Sequence, residues 1–230
     1  MRMEDSHRAK AALFDAIAAV GAALAAGRRA EIIDILAQGE RPVEQVAHEL
    51  QQSVANTSHH LRALHRAGLL SRRREGNRVL YRLAGPEVEE LWAALRRLAE
   101  SSREDFSQLA AAYLGELGEV EVVSRRRLLQ MRAAGQVTVI DVRPREEYVQ
   151  GHLPGALSVP LAELDRLQPP KGRALVAYCR GPYCAFAPAA VRQLRARGIP
   201  ALRLEEGFPE WRRAGLPVAT GDRSGEPPPA

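Results

Sequence analysis

Residues 176–186 read VAYCRGPYCAF, and the first three of them complete an apolar run over residues 174–178. The run predicts a short buried strand, and residues 185–197 predict a helix after a tight turn. Cys179 opens the turn and Cys184 closes it, and the chain has no other cysteine. Backbone N–H groups at such a turn, together with the positive end of a helix dipole, favour a thiolate. We therefore expect Cys179 to be a nucleophile that carries sulfur or responds to oxidation.

The second half of the chain alternates strand-like and helix-like segments. Residues 120–123 predict a strand, Ser124 is placed to cap the helix that follows, and residues 137–142 read as a buried strand. Residues 202–204 predict a further strand. This alternation predicts an α/β domain with a parallel sheet, in which reactive groups lie at the carboxyl ends of strands. Cys179 falls at such an end.

A series of motifs runs through residues 119–220 in a fixed order. They are Asp141-Val142-Arg143, Glu147-Tyr148, Gly151 to Ala156, Tyr178 to Gly181, Glu206 to Trp211 and Ala214 to Val218. Together they resemble the rhodanese domain. The resemblance implies a sulfurtransferase-type fold in which Cys179 cycles through a persulfide. It also implies that the loop from Cys179 to Cys184, with Gly181 and Tyr183, surrounds the outer sulfur with N–H groups.

Four residues of this half have alternative roles. Asp141 and Arg143 match a position that usually holds the loop to the sheet, which favours a structural role over a catalytic one. Arg180 either assists a thiosulfate-like anion or points to solvent. Cys184 either resolves a persulfide on Cys179 as a disulfide or is a small buried residue at the helix start. The tight turn between the two cysteines favours the resolving role.

The first half of the chain predicts several short helices. Residues 8–38 carry helical periodicity, residues 43–50 form a short helix, and Ser53 caps a helix that Gly68 ends. On this last helix Val54, Leu61 and Leu64 share one face, and the opposite face carries Asn56, His59, Arg62, Ala63 and Arg66. Such a polar face suits base edges and phosphates, although an ordinary solvated helix has the same appearance.

A basic hairpin follows this helix. Residues 69–74 predict one strand, residues 75–77 the turn, and residues 78–83 the returning strand. The hairpin presents Arg72, Arg74, Arg78 and Arg82, which are suited to the phosphate backbone or the minor groove. A helix-turn-helix followed by such a wing predicts a mainly α winged helix-turn-helix domain.

The motifs of this half match one family in order. They are Glu44 to Leu50, Thr57 to Leu64, Ala67 to Leu70 and Arg74 to Tyr81. They resemble the ArsR family of winged-helix repressors over roughly residues 10–112. The resemblance implies a homodimer, closed by the first and last helices, that binds palindromic double-stranded operator DNA. Its candidate DNA contacts are Ser53, Asn56, Ser58, His59, Arg62, Arg66, Arg72, Arg74 and Arg78. The last helix is predicted from Pro86 to Tyr113, with an apolar stripe suited to the dimer seam.

Two departures from related proteins limit the chemistry. Residues 43–50 contain no cysteine, and the predicted last helix contains no histidine or cysteine, so metal sensing is disfavoured. Related phosphatases and arsenate reductases have an arginine six residues after the cysteine, where this chain has Ala185. A phosphate or arsenate substrate would therefore lack its bidentate ligand. No metal and no cofactor is predicted.

The composition permits two domains. We predict a DNA-binding and dimerisation domain at residues 1–113, a linker at 114–120, a rhodanese-like domain at 121–220 and a disordered tail at 221–230. The net charge of +5 is compatible with an anionic partner. It is equally compatible with a coding bias, because 31 of the 33 basic residues are arginine and only two are lysine. No apolar run is long enough to predict a membrane span, and we expect a cytoplasmic protein.

These observations support three functional hypotheses. The first is a transcriptional regulator whose Cys179 takes up reactive sulfur from a sulfane-sulfur donor such as polysulfide, thiosulfate or a persulfide. The second is an enzyme that is primarily a thiosulfate or persulfide sulfurtransferase. The third, which ranks lower because arsenite prefers three sulfur ligands, is an arsenic(III)-responsive repressor that uses Cys179 and Cys184.

Overall fold

A computed structural model describes residues 3–115, 120–170 and 172–222 of the chain. It separates into two compact units, Met1–Arg97 and Leu98–Ala230. Residues 116–119 of the predicted linker and residues 223–230 of the predicted disordered tail lie outside the described residues. The domain limits given above remain predictions.

The first unit is mainly helical. It contains α1 (Met3–Ala22), α2 (Gly27–Leu36), α3 (Val43–Glu49), α4 (Val54–Arg66) and most of α5 (Pro86–Ser102). Strands β1 (Arg41–Pro42), β2 (Leu70–Glu75) and β3 (Arg78–Leu83) form an antiparallel sheet in the order β1-β3-β2. Strand β1 was not predicted, because a two-residue strand that ends in proline has no pattern of its own.

The helix-turn-helix packs around buried aliphatic side chains. Ile32 and Ile33 of α2, Val46 of α3, and Leu61 and Leu64 of α4 are fully buried in one cluster. Two local signals that fix α4 are confirmed. The Ser53 hydroxyl accepts a hydrogen bond from the Asn56 N–H at 3.2 Å, and Gly68 follows the helix at φ +77°.

Helix α1 is exposed from residue 5 to residue 19. Its Leu13, Phe14 and Ile17 are each about three-fifths exposed, which leaves an apolar surface on this helix. In the described part of the chain, no single helix has the length and hydropathy to cross a membrane. The pair formed by residues 5–22 and 27–36, bent by 77°, meets that criterion by length and composition only.

The prediction of one helix from Pro86 to Tyr113 is wrong. The chain forms α5 and then α6 (Phe106–Leu114), with a break at residues 103–105. The hydroxyls of Ser101 and Ser102 both donate to the Leu98 carbonyl, which competes with the helical backbone pattern at the end of α5. Arg103 and Asp105 then form an exposed ion pair within the break.

The second unit is an α/β domain. After α6 its elements are β4 (Val122–Val123), α7 (Arg125–Ala133), β5 (Val137–Asp141), α8 (Arg145–Gln150), β6 (Leu157–Ser158), a 3₁₀ helix (Leu161–Arg166), β7 (Ala174–Tyr178), α9 (Phe186–Ala196), β8 (Ala201–Leu204) and α10 (Phe208–Arg213). Among the described residues, the sheet has five parallel strands in the order β4-β8-β7-β5-β6. Both predicted fold classes are therefore confirmed.

Strand β7 lies in the middle of this sheet and carries the loop that the sequence singled out. Its alternate residues face two different cores. Leu175, Ala177 and Cys179 pack with α9 on one face, whereas Val176 and Tyr178 pack with α10 on the other. Because the sheet is parallel, the end of β7 lies beside the end of β5, where Asp141 pairs with Tyr178 in register.

Candidate functional site

The loop between β7 and α9 is a short turn held from two sides. The Cys184 N–H donates to the Gly181 carbonyl at 3.1 Å and closes the turn. The Phe208 N–H at the start of α10 donates to the Cys179 carbonyl at 3.1 Å. Gly207 lies so close to Gly181 that a β-carbon on it would come within 2.5 Å of the Gly181 α-carbon. The position of the loop is therefore set by a segment almost 30 residues further along the sequence.

The two thiols are neighbours in this loop, and both are free. The Cys179 sulfur lies 3.8 Å from the Gly181 carbonyl oxygen and 3.6 Å from the Cys184 carbonyl oxygen. The two side chains are close enough to change each other's pKa. Cys179 is 2% exposed, whereas Cys184 is partly buried. The predicted closeness of the cysteines is thus present in the fold, but Cys179 is the less accessible of the two.

The expected thiolate on Cys179 is opposed by the burial of this side chain. Burial raises the pKa of Cys179 well above its ordinary value, and the neighbouring Cys184 raises it further. The N–H groups of Gly181 and Ala187 lower the pKa of Cys179 without offsetting these effects. The pKa of Cys184 is lowered, chiefly because the Cys179 side chain hydrogen-bonds to it.

Arg180 is turned towards a buried carboxylate. Its Nε and Nη2 donate to Oε1 of Glu147 at 2.9 and 2.5 Å, and Glu147 is fully buried on α8. The guanidinium group also lies over the Phe186 ring. The alternative in which Arg180 points to solvent is wrong, since its side chain is only 17% exposed. Arg180 instead links the cysteine loop to α8.

Asp141 and Arg143 form a fully buried ion pair at the ends of β5 and β7. The Arg143 Nε and Nη2 donate to the Asp141 carboxylate at 3.0 and 2.6 Å. The Tyr178 hydroxyl donates to the same carboxylate at 2.5 Å, and Arg143 Nη2 also donates to the Gly151 carbonyl. Burial lowers the pKa of Arg143, but Asp141 outweighs it, so the pKa is raised and the charge is kept. This geometry favours the structural role for both residues.

Tyr183 contacts a helix that lies outside the rhodanese-like motifs. Its ring packs edge-to-face against Phe106 of α6, with the ring centroids 5.5 Å apart. Both residues belong to the second unit, and Tyr183 directly precedes Cys184. A chemical modification of Cys184 would therefore occur on the residue next to one that contacts α6.

His152 is buried beneath this network. Its ring stacks on Tyr148 at 3.6 Å between centroids, and its Nδ1 lies 2.8 Å from the Tyr148 carbonyl oxygen. Burial lowers the pKa of His152 below its ordinary 6.5, although the Tyr148 carbonyl and Asp141 partly oppose this, and Arg143 adds to it. The folded domain therefore holds a neutral imidazole.

We expect this burial to make the second unit less stable in mild acid. The unfolded chain takes up a proton at His152 below about pH 6.5, whereas the folded chain does so only at lower pH. The contribution of His152 to the free energy of unfolding is therefore complete above pH 6.5 and is lost as the pH falls. His152→Gln should flatten the pH dependence of unfolding between pH 7.5 and 5.5, followed by Trp211 fluorescence in a Trp92→Phe background. His7→Gln, on exposed α1, is the control. An unchanged slope in His152→Gln would contradict the assignment.

The polar face predicted on α4 is at the surface. Asn56, His59, Arg62 and Arg66 are exposed, and Ser58 is partly buried. Ser53 is occupied as the N-cap, and Arg62 Nε donates to the Ser58 carbonyl at 3.0 Å. The predicted apolar face is correct for Leu61 and Leu64 but wrong for Val54, which is 47% exposed in the first turn.

The arginines of the wing divide between its two faces. Residues directly opposite in antiparallel strands share a face, and Arg72 and Arg74 lie opposite Tyr81 and Val79. Arg78 and Arg82 lie opposite Glu75 and Ser71, on the other face. Arg73, which was not among the candidate contacts, forms ion pairs with Glu40 and Glu75. The wing thus presents positive charge on both sides.

The described ranges contain no cluster of side chains that could form a metal site. Within residues 3–115, 120–170 and 172–222, no group of three or more His, Cys, Asp or Glu side chains is placed to hold a metal ion. Cys179 and Cys184 would offer an arsenic(III) ion two sulfur ligands.

A winged helix-turn-helix joined to a parallel α/β domain with a cysteine loop defines a class, the DNA-binding regulators fused to a rhodanese domain. The family model described as "Bacterial regulatory protein, arsR family" matches residues 27–72, and the one described as "Rhodanese-like domain" matches residues 124–214. The chain is 49% identical to the HTH-type transcriptional regulator Rv0324 of Mycobacterium tuberculosis over 92% of its length and 94% of that protein. It therefore belongs to the ArsR family of HTH-type regulators, with a rhodanese-like domain in its second half.

Two further similarities cover one domain each. A sulfurtransferase of Allochromatium vinosum is 33% identical over 36% of this chain and 78% of that protein. The solution structure of the homodimeric winged helix-turn-helix DNA-binding domain of Mb0332 from Mycobacterium bovis is 47% identical. It covers 41% of this chain and 88% of that one, with a TM-score of 0.40.

Three residues of the site were not predicted as site residues. Glu147 and Gly207 lie in motifs that the sequence displays, but their contacts with Arg180 and Gly181 depend on the folded sheet. Phe106 gave no signal, because it was placed inside a predicted continuous helix. Only the break before α6 marks its position, and the serines that end α5 were the available clue.

Proposed function

We propose that the chain is a homodimeric regulator whose Cys179–Cys184 pair takes up sulfane sulfur and thereby changes its affinity for double-stranded operator DNA. The observation that carries the proposal is the meeting of the chain's two cysteines, side by side, at the carboxyl end of β7 in a rhodanese-like sheet. Neither cysteine belongs to the winged helix-turn-helix.

Unpartnered apolar surface supports the dimer. Leu13, Phe14 and Ile17 are exposed on α1, and Leu91, Leu95 and Leu98 are exposed on α5. Exposed apolar surface of this extent is typical of a protein–protein interface. These are the first and last helices of the predicted dimer seam.

Exposed polar and basic side chains support the DNA contact. Asn56, His59, Arg62 and Arg66 of α4 are suited to base edges and phosphates in a major groove, with Ser53 and Ser58 near the start of the same helix. The wing adds Arg72, Arg74 and Arg78 for phosphate contacts, which would make binding strongly dependent on salt.

The contact at Tyr183 supplies a route for the signal. Joining the two sulfurs in a disulfide would move the residues between them, and Tyr183 is one of these. Its packing partner, Phe106, begins α6, which follows α5 after a three-residue break. A rearrangement of the loop would therefore reach the segment that leads into the proposed dimer seam.

The proposal is tested with the full chain and a duplex recovered by selection from random double-stranded DNA. Binding is measured by fluorescence anisotropy at fixed salt, before and after treatment with sodium tetrasulfide. We expect the wild-type apparent Kd to change by about tenfold or more, and the Cys179→Ser/Cys184→Ser variant to show no change, since about 1.4 kcal/mol of coupling corresponds to a factor of ten. An equal response in the double variant would refute the proposal.

A matched variant separates the two halves of the function. Arg62→Ala/Arg74→Ala should weaken binding of the selected duplex in both states and leave sulfur uptake, read by intact mass, at the wild-type rate. Loss of sulfur uptake in this variant would show general unfolding in place of a DNA-specific effect.

Sulfurtransferase activity is the second candidate function. It is favoured by the match to the rhodanese-like domain model and by the similarity to a named sulfurtransferase. Sustained thiocyanate production from thiosulfate and cyanide, with no change in duplex affinity on sulfur treatment, would favour it over the regulator.

A further inference from the structure

A second arginine contacts the cysteine loop, from the neighbouring strand of the sheet. Nη1 of Arg203 donates a hydrogen bond to the carbonyl oxygen of Pro182 at 3.2 Å, and Pro182 lies between the two cysteines. Arg203 belongs to β8, which pairs with β7. Its guanidinium group therefore lies beside the turn that carries the proposed sulfur chemistry.

The strand register explains why this side chain reaches the loop. Arg203 lies opposite Ala177 in parallel register, and Ala177 packs on the face of the sheet that α9 covers. Cys179 follows two residues later and packs on the same face, because side chains alternate along a strand. Arg203 is thus one strand away from Cys179, at the carboxyl end of the sheet, where ligands bind in such folds.

The charge of Arg203 is not balanced by an acidic side chain. In the described part of the chain, no carboxylate lies within ion-pair distance of its guanidinium group, and its buried Nε has no hydrogen-bond partner. Glu121, whose carbonyl oxygen accepts the Arg203 N–H, directs its carboxylate to Arg195 at 2.8 Å. A guanidinium group carries several N–H donors, and Arg203 is partly exposed, so donors remain for an anion in solution.

Arg180 is also at the loop, but its charge is offset inside the protein. Its Nε and Nη2 both donate to the fully buried carboxylate of Glu147, and its guanidinium group lies over the Phe186 ring. An anion that approaches the loop is therefore attracted chiefly by Arg203.

We propose that Arg203 recognises the negative charge of the sulfur donor, so that the cysteine pair takes sulfur from anionic donors, such as thiosulfate, in preference to neutral ones. This inference rests on the proposed uptake of sulfane sulfur by the pair. Arg203 binds and orients the donor and takes no part in the bond changes. In these, a cysteine thiolate of the pair attacks the outer sulfur of thiosulfate, a new S–S bond forms, and sulfite leaves with the electron pair of the S–S bond that breaks.

Two alkylating reagents of similar size test the recognition of charge. Iodoacetate is an anion, iodoacetamide is neutral, and both alkylate a thiolate with loss of iodide. We expect Arg203→Gln to lower the rate with iodoacetate, relative to that with iodoacetamide, by about tenfold, as read by intact mass of the full chain. Arg203→Lys should restore most of this ratio, because it keeps the charge.

The ratio of the two rates excludes a purely structural role. A change in loop shape or in a thiol pKa would affect both reagents alike and would cancel in the ratio. Equal losses with the two reagents in Arg203→Gln would therefore overturn the inference.

Thiosulfate then tests the donor itself, with sulfur uptake followed by intact mass over a range of concentrations. Arg203→Gln should need about tenfold more thiosulfate for half of its maximal uptake rate, with that maximal rate almost unchanged. Arg197→Gln is the matched control, because Arg197 also donates to a main-chain carbonyl, that of Leu164 at 2.8 Å, but follows the far end of α9. A lower maximal rate at an unchanged half-saturating concentration would contradict a role in binding.

A measurement on the unmutated chain guards against misfolded variants. Added sodium chloride screens charges, so the ratio of the iodoacetate rate to the iodoacetamide rate should fall as salt rises. A ratio that does not depend on salt would overturn the inference.

The outcomes separate the inference from the proposed function. A wild-type chain that took up no sulfur from thiosulfate or tetrasulfide would refute the proposed function, and the alkylation ratio would still decide whether Arg203 attracts an anion to the loop. Normal sulfur uptake with a ratio that Arg203→Gln leaves unchanged would overturn the inference alone.

Discussion

Replacement of Asp141 by alanine is expected to lower the free energy of unfolding of the second unit by about 3–5 kcal/mol. Removing the carboxylate would leave the guanidinium group of Arg143 buried without the partner that offsets its burial. Arginine stays protonated in proteins, so the charge could not be lost instead. The Tyr178 hydroxyl would lose its acceptor at the same time. Urea unfolding followed by Trp211 fluorescence in a Trp92→Phe background reports on this unit, since Trp211 is buried in its core.

An exposed pair provides the matched control for this loss. Arg145 and Asp222 are paired at 2.5 Å, but each side chain is 46% exposed. Asp222→Ala is therefore expected to cost at most about 1 kcal/mol. Asp141→Asn keeps the shape of the side chain and should fall between the two. Equal losses from Asp141→Ala and Asp222→Ala would show that the buried pair has no special role in stability.

The Asp141 network also connects stability with the site. Tyr178 donates to Asp141 and also accepts from the Leu153 N–H at 3.1 Å, and the next residue is Cys179. The charges of Asp141, Arg143, Glu147 and Arg180 balance within one buried cluster. A change in any of them would therefore disturb the end of β7, from which the cysteine loop begins.

Features that depend on a few adjacent residues were predicted correctly. Ser53 and Ser124 each cap the helix that follows them, because a hydroxyl at that position needs only the N–H three residues on. Strand β7 matches its predicted bounds, because an apolar run between turns needs no partner to be recognised. The order of the motifs along the chain was likewise sufficient to predict both fold classes.

Features that depend on distant residues were not predictable from the pattern. A lowered pKa of Cys179 was predicted from the helix dipole and the amides of its own loop, but the packing of Cys179 against α9 buries the thiol, and burial raises its pKa. Arg180 was left with two alternatives, and its partner Glu147 lies 33 positions away. The strand register decides which arginines of the wing share a face, and the sequence of the turn did not predict that register.

Gly207→Ala is expected to slow sulfur uptake by the cysteine pair by about tenfold to a hundredfold. The backbone of Gly207 has φ −107° and ψ −171°, an extended conformation that any residue adopts, so the substitution introduces no backbone strain. The new β-carbon would instead lie within 2.5 Å of the Gly181 α-carbon and closer still to the Gly181 nitrogen and the Arg180 carbonyl carbon. Backbone atoms cannot move aside as a flexible side chain can, so the loop must shift.

The same clash should cost about 1–3 kcal/mol of unfolding free energy, as overpacking does in other cores. Gly27→Ala is the matched control, because Gly27 has nothing within 4 Å of the added carbon and lies in the first unit. Uptake is followed by intact mass after sodium tetrasulfide, and stability by Trp211 fluorescence. If Gly207→Ala took up sulfur at the rate of Gly27→Ala, the close approach of α10 would not be what positions the two thiols. Slow uptake with near-wild-type stability would instead show that loop geometry, and not folding, sets the reactivity of Cys184 and Cys179.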